Sequence, residues 1–265
     1  MSAPTAPRLS IVLPACEEAE NLRAILPALH AALKQTDLGD AYEILVIDTP
    51  DRRDDTEEVC AAHGAIHRRE SSRSRASYGG ALRKGIALSR GEWVLTMDAD
   101  GSHPPADLPR LWSARNDADL GIASRYMKGG RTANPPILVW MSLAVNVVFH
   151  GVLGLQPADI SSSYRLYRGD SLRALPLECL HFDIAQETLV KLPLFHPGYR
   201  IRAIPFYFEQ RRSGKTKRHL LAFTLSYLTT LATLWKLKRR ITAERQRESA
   251  NPPKAQAEAG RGAGS

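Results

Sequence analysis

Cysteine is scarce in this sequence. Three occur in 265 residues, Cys16, Cys60 and Cys179, an odd number without CxxC spacing. That excludes a disulfide framework and a cysteine-built zinc site, and it fits a reducing cytoplasm. An apolar stretch is missing from the opening MSAPTAPR, so no secretory signal is expected. Glycine-rich phosphate loops are missing too. No GxGxxG occurs, and Ser213-Gly214-Lys215-Thr216 has Glu209 where a P-loop needs its first glycine. The basic run Lys236-Leu237-Lys238-Arg239-Arg240 lacks the interleaved aromatics that stack on bases, so nucleic acid is not the expected partner. There are no internal repeats. An acidic excess is absent as well: 36 Lys+Arg face 28 Asp+Glu, a net charge of +8 that favours anionic surfaces and phosphorylated ligands.

What is present is enough apolar residue, 43%, for one large domain with an appendage. Short apolar runs at 9–13, 42–47, 93–97 and 120–124 read as buried strands. Helical spacing fills 21–35, 54–63, 76–90 and 106–115 between them. Alternating strand and helix predicts an α/β fold, a mostly parallel sheet covered by helices. Further strands are expected at 163–168 and 199–208, and helices at 137–153, 183–192 and 220–241. Residues 1–7 and the polar, Ala/Gly/Pro-rich 243–265 are expected to be disordered. The apolar stretches 137–155 and 220–235 are interrupted or short for spans of about 20 residues. They read first as buried helices, then as interfacial ones, and last as spans.

Asp-x-Asp occurs twice. Asp98-Ala99-Asp100 follows a strand and precedes Gly101 and His103-Pro104-Pro105, which force a tight loop. In parallel sheets ligands sit outside the carboxyl ends of the strands. Pro14 to Glu18, Asp48 and this Asp-x-Asp all fall there. Asp117-Ala118-Asp119 instead precedes its strand, at the opposite edge. The first pair is therefore the expected seat for Mg²⁺ or Mn²⁺, hard ions that share phosphate ligands.

The segments SIVLPACEEAENL, EILVID, GGALRKGIALSRGEWVLTMDADGSHPP, IASRYMKGG, DISSSYRLYR, QET and FEQRRSGKTK occur in that order. Together they resemble family-2 glycosyltransferases, within them the dolichol-phosphate mannosyltransferase (polyprenyl-phosphate glycosyltransferase) branch, over residues 8–218. The resemblance implies a GT-A fold, a nucleotide-sugar donor, a polyprenyl-phosphate acceptor and a peripheral position on the cytoplasmic face of a membrane, with 219–242 as an amphipathic helix there. By position, Pro14, Cys16 and Glu18 would line the nucleotide pocket, and Asp48 would meet the base. Asp98 and Asp100 would hold the metal, with Ser102 as a third ligand, and together with Ala99, Arg125 and Arg211 would also bind the nucleotide sugar. Arg125, Arg211 and Lys217 would neutralise donor and acceptor phosphates, making Asp100, Arg125, Arg211 and Lys217 the catalytic set. The chain has Ser163 where the family has glycine, and Val139 where the branch has a second arginine.

Two other readings compete. Transfer to a hydroxyl on a lipid or glycan would need a general base, for which Asp183 or Glu187 are the candidates. A degenerate scaffold would bind membranes or nucleic acid without catalysis.

Overall fold

The computed structural model describes residues 6–155, 159–211 and 220–250. Its elements run β1 (Leu9–Pro14), α1 (Ala19–Leu33), β2 (Tyr42–Asp48), α2 (Thr56–Ala62), β3 (Ile66–Arg69), α3 (Tyr78–Leu88), β4 (Trp93–Thr96), α4 (Leu108–Ser113) and β5 (Leu120–Ser124). After these come β6 (Arg131–Thr132), α5 (Pro136–Leu153), β7 (Arg165–Arg168), α6 (Gly169–Arg173), α7 (Ile184–Phe195), β8 (Ile201–Pro205), β9 (Tyr207–Phe208) and α8 (Leu220–Ala250).

Seven strands form one sheet in the order β3-β2-β1-β4-β7-β5-β8, and β6 pairs with β9 separately. Strands β1, β4 and β5 are buried along their whole length, which explains their unbroken apolar sequences. Alternate residues serve two cores. Leu9, Ile11 and Leu13 pack with Leu22, Ile25 and Leu29 of α1 and with Leu111 and Trp112 of α4. Val12, Ile47, Val94 and Ile122 face the other way, toward Leu82 and Ile86 of α3, Leu189 of α7, and Phe149, Leu153, Tyr227 and Leu234 of α5 and α8. The result is the α/β fold expected, with helices on both faces.

Three glycines interrupt the apolar pattern of α3, and Gly85 has a packing reason. A Cβ there would lie 2.3 Å from Cγ1 of Val12 and 3.1 Å from Cγ1 of Ile47. Both neighbours are fully buried strand residues, so neither can swing aside. Gly85→Ala is expected to lower stability by about 1–3 kcal/mol despite alanine's better helix propensity. Chemical unfolding checks this: an unchanged midpoint would mean the helix-sheet contact gives way freely.

The switch in strand order falls between β1 and β4, where binding clefts open in such sheets. One strand breaks the parallel pattern. Strand β7 runs antiparallel to both β4 and β5, so the residues just before it emerge at the ligand edge.

Four expectations change. Strand β3 was not anticipated, because IHRR offers one apolar residue and is only half-buried. The strand expected at 199–208 divides around buried Phe206: β8 joins β5, while β9 joins β6. Helix α8 continues to Ala250, because AERQRESA consists mainly of good helix formers. The buried reading of α5 fails: only Phe149 and Leu153 are buried, whereas Ile137, Trp140 and Val147 are 65–71% exposed. That helix is 18 residues long with mean hydropathy 1.8, long and apolar enough to cross a membrane by those criteria alone.

Candidate active site

A cavity of about 1070 Å³ opens over the carboxyl ends of the parallel strands. Pro14 ends β1 and lines it with Cys16 and Glu18 just beyond, Asp48 ends β2, Asp98, Ala99, Asp100 and Ser102 follow β4, and Arg125 follows β5. Arg211 enters from beyond β9. Ten expected residues therefore share one space; Lys217, with Ser213 to Thr216, lies outside the described residues.

The Asp-x-Asp loop is held from several sides. Oδ1 of Asp98 accepts from the Tyr78 hydroxyl at 2.6 Å and the Ser163 hydroxyl at 3.0 Å. The Asp98 N–H donates to Nδ1 of His103 at 2.9 Å. His103 is buried and stacks on Tyr164 at 5.0 Å, with Phe206 and Phe208 at its edges. Burial pushes its pKa down, and the pull of Asp98 and Asp100 does not restore it. A neutral ring with an accepting Nδ1 is the form this contact requires. Gly101 takes a φ of 84°, which lets the chain double back. Oδ1 of Asp100 then accepts from the Ser102 N–H at 3.0 Å and the Ser102 hydroxyl at 2.6 Å. Ser102, expected as a third metal ligand, is buried and braces Asp100 in this arrangement.

Oδ2 of Asp98 and of Asp100 takes no hydrogen bond among the described residues, which also contain no group of three or more His, Cys, Asp or Glu side chains able to hold a metal. Two carboxylates, each with one braced and one open oxygen, fit a hard ion that keeps water and phosphate ligands. They do not make a complete protein cage.

The cationic side is also braced. Arg125 forms a bidentate pair with fully buried Asp159: Nε to Oδ2 at 2.7 Å and Nη2 to Oδ1 at 2.8 Å. Its Nη2 also donates to the Ser161 hydroxyl at 2.7 Å. Burial opposes the guanidinium charge, but the Asp159 carboxylate outweighs it and raises the pKa above its ordinary value. Nη1 donates to nothing among the described residues, so one edge of the guanidinium remains available to a phosphate. Arg211 pairs with Glu18, whose other oxygen accepts from Asn21 at 2.5 Å. The Glu209 N–H donates to the Ser102 carbonyl at 3.1 Å, mooring the start of the basic loop on the Asp-x-Asp loop.

The far end of the cavity is apolar. Leu138, Met141, Val145 and Val148 of α5 line it together with Tyr227, Leu228 and Leu231 of α8.

The family model for glycosyl transferase family 2 matches residues 10–175. The chain belongs to that family. This glycosyltransferase is 34% identical over 219 residues to the undecaprenyl-phosphate mannosyltransferase of Micrococcus luteus, covering 79% of this chain and 87% of the relative. It is 32% identical over 229 residues to the polyprenol monophosphomannose synthase of Mycolicibacterium smegmatis, covering 79% and 80%. Among solved structures it is similar to the glucosyl-3-phosphoglycerate synthase of Mycobacterium tuberculosis in complex with Mn²⁺, uridine diphosphate and phosphoglyceric acid. There the TM-score is 0.65 at 19% identity, covering 86% of this chain and 78% of that one, a likeness of fold.

The remaining acids of this glycosyltransferase are placed elsewhere. Glu187 accepts the backbone N–H groups of Glu178 and Cys179, each at 2.9 Å, and pairs with Lys191 at 2.6 Å. Asp183 accepts from Thr230 of α8 at 2.6 Å and from the His181 N–H at 3.2 Å. Neither is among the residues lining the cavity. Asp117 pairs with Arg202, and Asp119 with Arg200 at 3.5 Å and Arg168 at 3.7 Å, at the start of β5 and the opposite edge of the sheet.

Sequence reasoning assigned no role to Asp159, Tyr78 or Glu70, and gave His103 only a part in the loop and Ser163 only as a departure from the family, yet all five support or line the site. His103, Asp159 and Ser163 lie inside motifs already singled out, but only the three-dimensional pairing gives them partners. Glu70 follows β3 beside Asp48 at the end of β2, so recognising that strand would have found it.

Proposed function

We infer that this glycosyltransferase moves a sugar, with Mg²⁺ or Mn²⁺, from a nucleotide sugar to a polyprenyl phosphate at the surface of a membrane. One observation supports this most: the braced carboxylates and the apolar faces of α5 and α8 line the same cavity. A water-soluble donor and a lipid acceptor can meet there. Both relatives named above carry mannose in their names, which supports mannose as the sugar. Helix α5 exposes apolar residues and α8, which meets its end through Lys238 and the Leu153 carbonyl, exposes the cations Lys236, Arg239 and Arg240, a combination suited to an anionic bilayer on its cytoplasmic face.

The chemistry asks little of a base. A phosphomonoester has its second pKa at about 6, so a lipid phosphate arrives at pH 7 already ionised. The protein must then hold two anionic groups together and align the acceptor oxygen with the anomeric carbon. The open edge of Arg125, with Arg211 and Lys217, would supply positive charge beside the phosphates. Asp98 and Asp100 would hold the divalent ion, which neutralises charge developing on the departing nucleoside diphosphate. The hydroxyl-acceptor reading is less well supported, since Asp183 and Glu187 are committed to other partners.

The test is transfer from labelled GDP-mannose, UDP-glucose or UDP-N-acetylglucosamine into a chloroform-soluble product. It uses purified protein, undecaprenyl phosphate and Mn²⁺ or Mg²⁺, with Asp100→Ala as the control. Label in the organic phase that depends on Asp100 is the expected result. Label passed only to hydroxyl acceptors would overturn the lipid-phosphate assignment. Metal-independent nucleotide release without transfer would overturn the metal assignment.

A further inference from the structure

We propose that Glu70, at the end of β3, accepts a ring N–H of the donor's nucleobase and so determines which bases the site takes. The proposal rests on the nucleotide-sugar reading and assigns the base to one residue of the same cavity.

If the diphosphate sits at Asp98 and Asp100 after β4, the nucleoside must run along the sheet edge in one of two directions. Toward β7 and β5 it meets Arg125, the serines before β7 and the apolar faces of α5 and α8. Toward β1, β2 and β3 it meets polar strand ends. Those three steps, at about 4.8 Å each, span roughly 14 Å, a distance suited to a nucleoside reaching out from its diphosphate. The base therefore comes to rest near the ends of β2 and β3.

Two carboxylates line the cavity there, Asp48 and Glu70. Both oxygens of Asp48 are engaged. Oδ1 accepts from the Thr49 N–H at 2.7 Å and the Thr49 hydroxyl at 3.3 Å, and Oδ2 lies 3.2 Å from Nε2 of His67. Glu70 differs. Its Oε1 accepts from the Ser72 N–H at 3.1 Å and the Ser71 hydroxyl at 3.5 Å. Its Oε2 has no partner among the described residues, and no cation there pairs with it, although the residue is only 5% exposed. The Glu70 N–H donates to the Asp48 carbonyl at 2.8 Å, which extends the β2–β3 ladder and fixes the residue against the strand end.

This oxygen opens onto the cavity with no protein donor to hold among the described residues, so it is available to a ligand. A ligand N–H supplies the missing donor. Uracil presents one at N3 and guanine presents N1–H with its 2-amino group. Cytosine and adenine offer a lone pair at the corresponding ring nitrogen, which would face the carboxylate with like charge. Glu70 thus selects imide-type bases against their amidine counterparts, UDP over CDP and GDP over ADP. It acts on recognition of the donor and takes no part in sugar transfer.

The test is equilibrium binding of UDP, CDP, GDP and ADP to the full-length protein with Mn²⁺, by calorimetry. In the unaltered protein the preferred member of one pair should bind roughly tenfold or more tightly than its counterpart, as expected for a hydrogen bond to a charged acceptor. Glu70→Gln keeps an oxygen for the Ser72 N–H and turns an amide N–H₂ toward the base, so that ratio should collapse. Glu70→Ala, which offers neither donor nor acceptor, should abolish it as well. A ratio unchanged in both variants would overturn the assignment, as would its loss in Asp48→Asn alone. Failure of the unaltered protein to bind any of the four would overturn the nucleotide-donor reading and this inference with it. Binding that ignores Glu70 overturns only the latter.

Discussion

Asp98→Ala and Asp100→Ala should each lower sugar transfer by roughly a thousandfold or more, the scale of losing a divalent ion's charge stabilisation. Asp117→Ala should leave transfer within about twofold. The three substitutions remove the same group from the same tripeptide, so the contrast isolates position. Asp98 and Asp100 follow β4 inside the cavity, whereas Asp117 forms an exposed pair with Arg202 at the far edge. Exposed pairs contribute only about 0–1 kcal/mol to stability. Asp98→Ala also leaves the Tyr78 and Ser163 hydroxyls without their shared acceptor. Asp98→Asn separates the two effects, since it retains an oxygen for both hydroxyls while losing the charge. Turnover measured across a Mn²⁺ titration distinguishes weakened ion binding from a collapsed loop. Equal loss at Asp100 and Asp117 would refute the assignment of the site to the β4 edge.

Asp159→Ala should be the most destabilising single change near the site. It strips the buried Arg125 guanidinium of a bidentate partner, a loss of about 3–5 kcal/mol. For a domain of this size that corresponds to a fall in melting temperature of roughly 10 °C. Replacing the whole pair is a different experiment. Arg125→Met with Asp159→Leu leaves no unpaired charge, and buried pairs exchanged for apolar side chains are often neutral in stability. The double variant should therefore recover most of the lost stability and none of the lost turnover. Thermal unfolding read beside initial rates checks both parts. A double variant as unstable as Asp159→Ala would show that Arg125 serves packing and not its ion pair.

The sequence disclosed most about the strands that are buried on both faces. Runs such as LSIVL and EILVI can satisfy their apolar surface only inside a covered sheet, so β1, β2, β4 and β5 were legible, and with them the residues at their carboxyl ends. Strand β3 was not, because IHRR lies at the sheet's edge and needs little apolar surface. Missing it hid Glu70. The direction of β7 was equally hidden, since periodicity is the same for a strand running either way. Its reversal is what brings Asp159 to Arg125 and Ser163 to Asp98. The exposure of α5 escaped for the opposite reason: an apolar sequence states a preference for leaving water, without saying what will cover it.

The reversed strand also makes the apolar, exposed part of the molecule around α5 a detachable unit. Strand β5 delivers the chain to the ligand edge, the excursion through β6 and α5 departs there, and β7 takes the chain up again at that same edge. Arg125 and Asp159, 34 positions apart, clasp the two ends together. An excursion that starts and finishes at one clasp can be lengthened or exchanged without changing the register of any strand pair in the seven-stranded sheet, and the entropy of closing a longer loop grows only logarithmically. What lies inside the clasp can thus be swapped while the carboxyl ends of the parallel strands stay as they are.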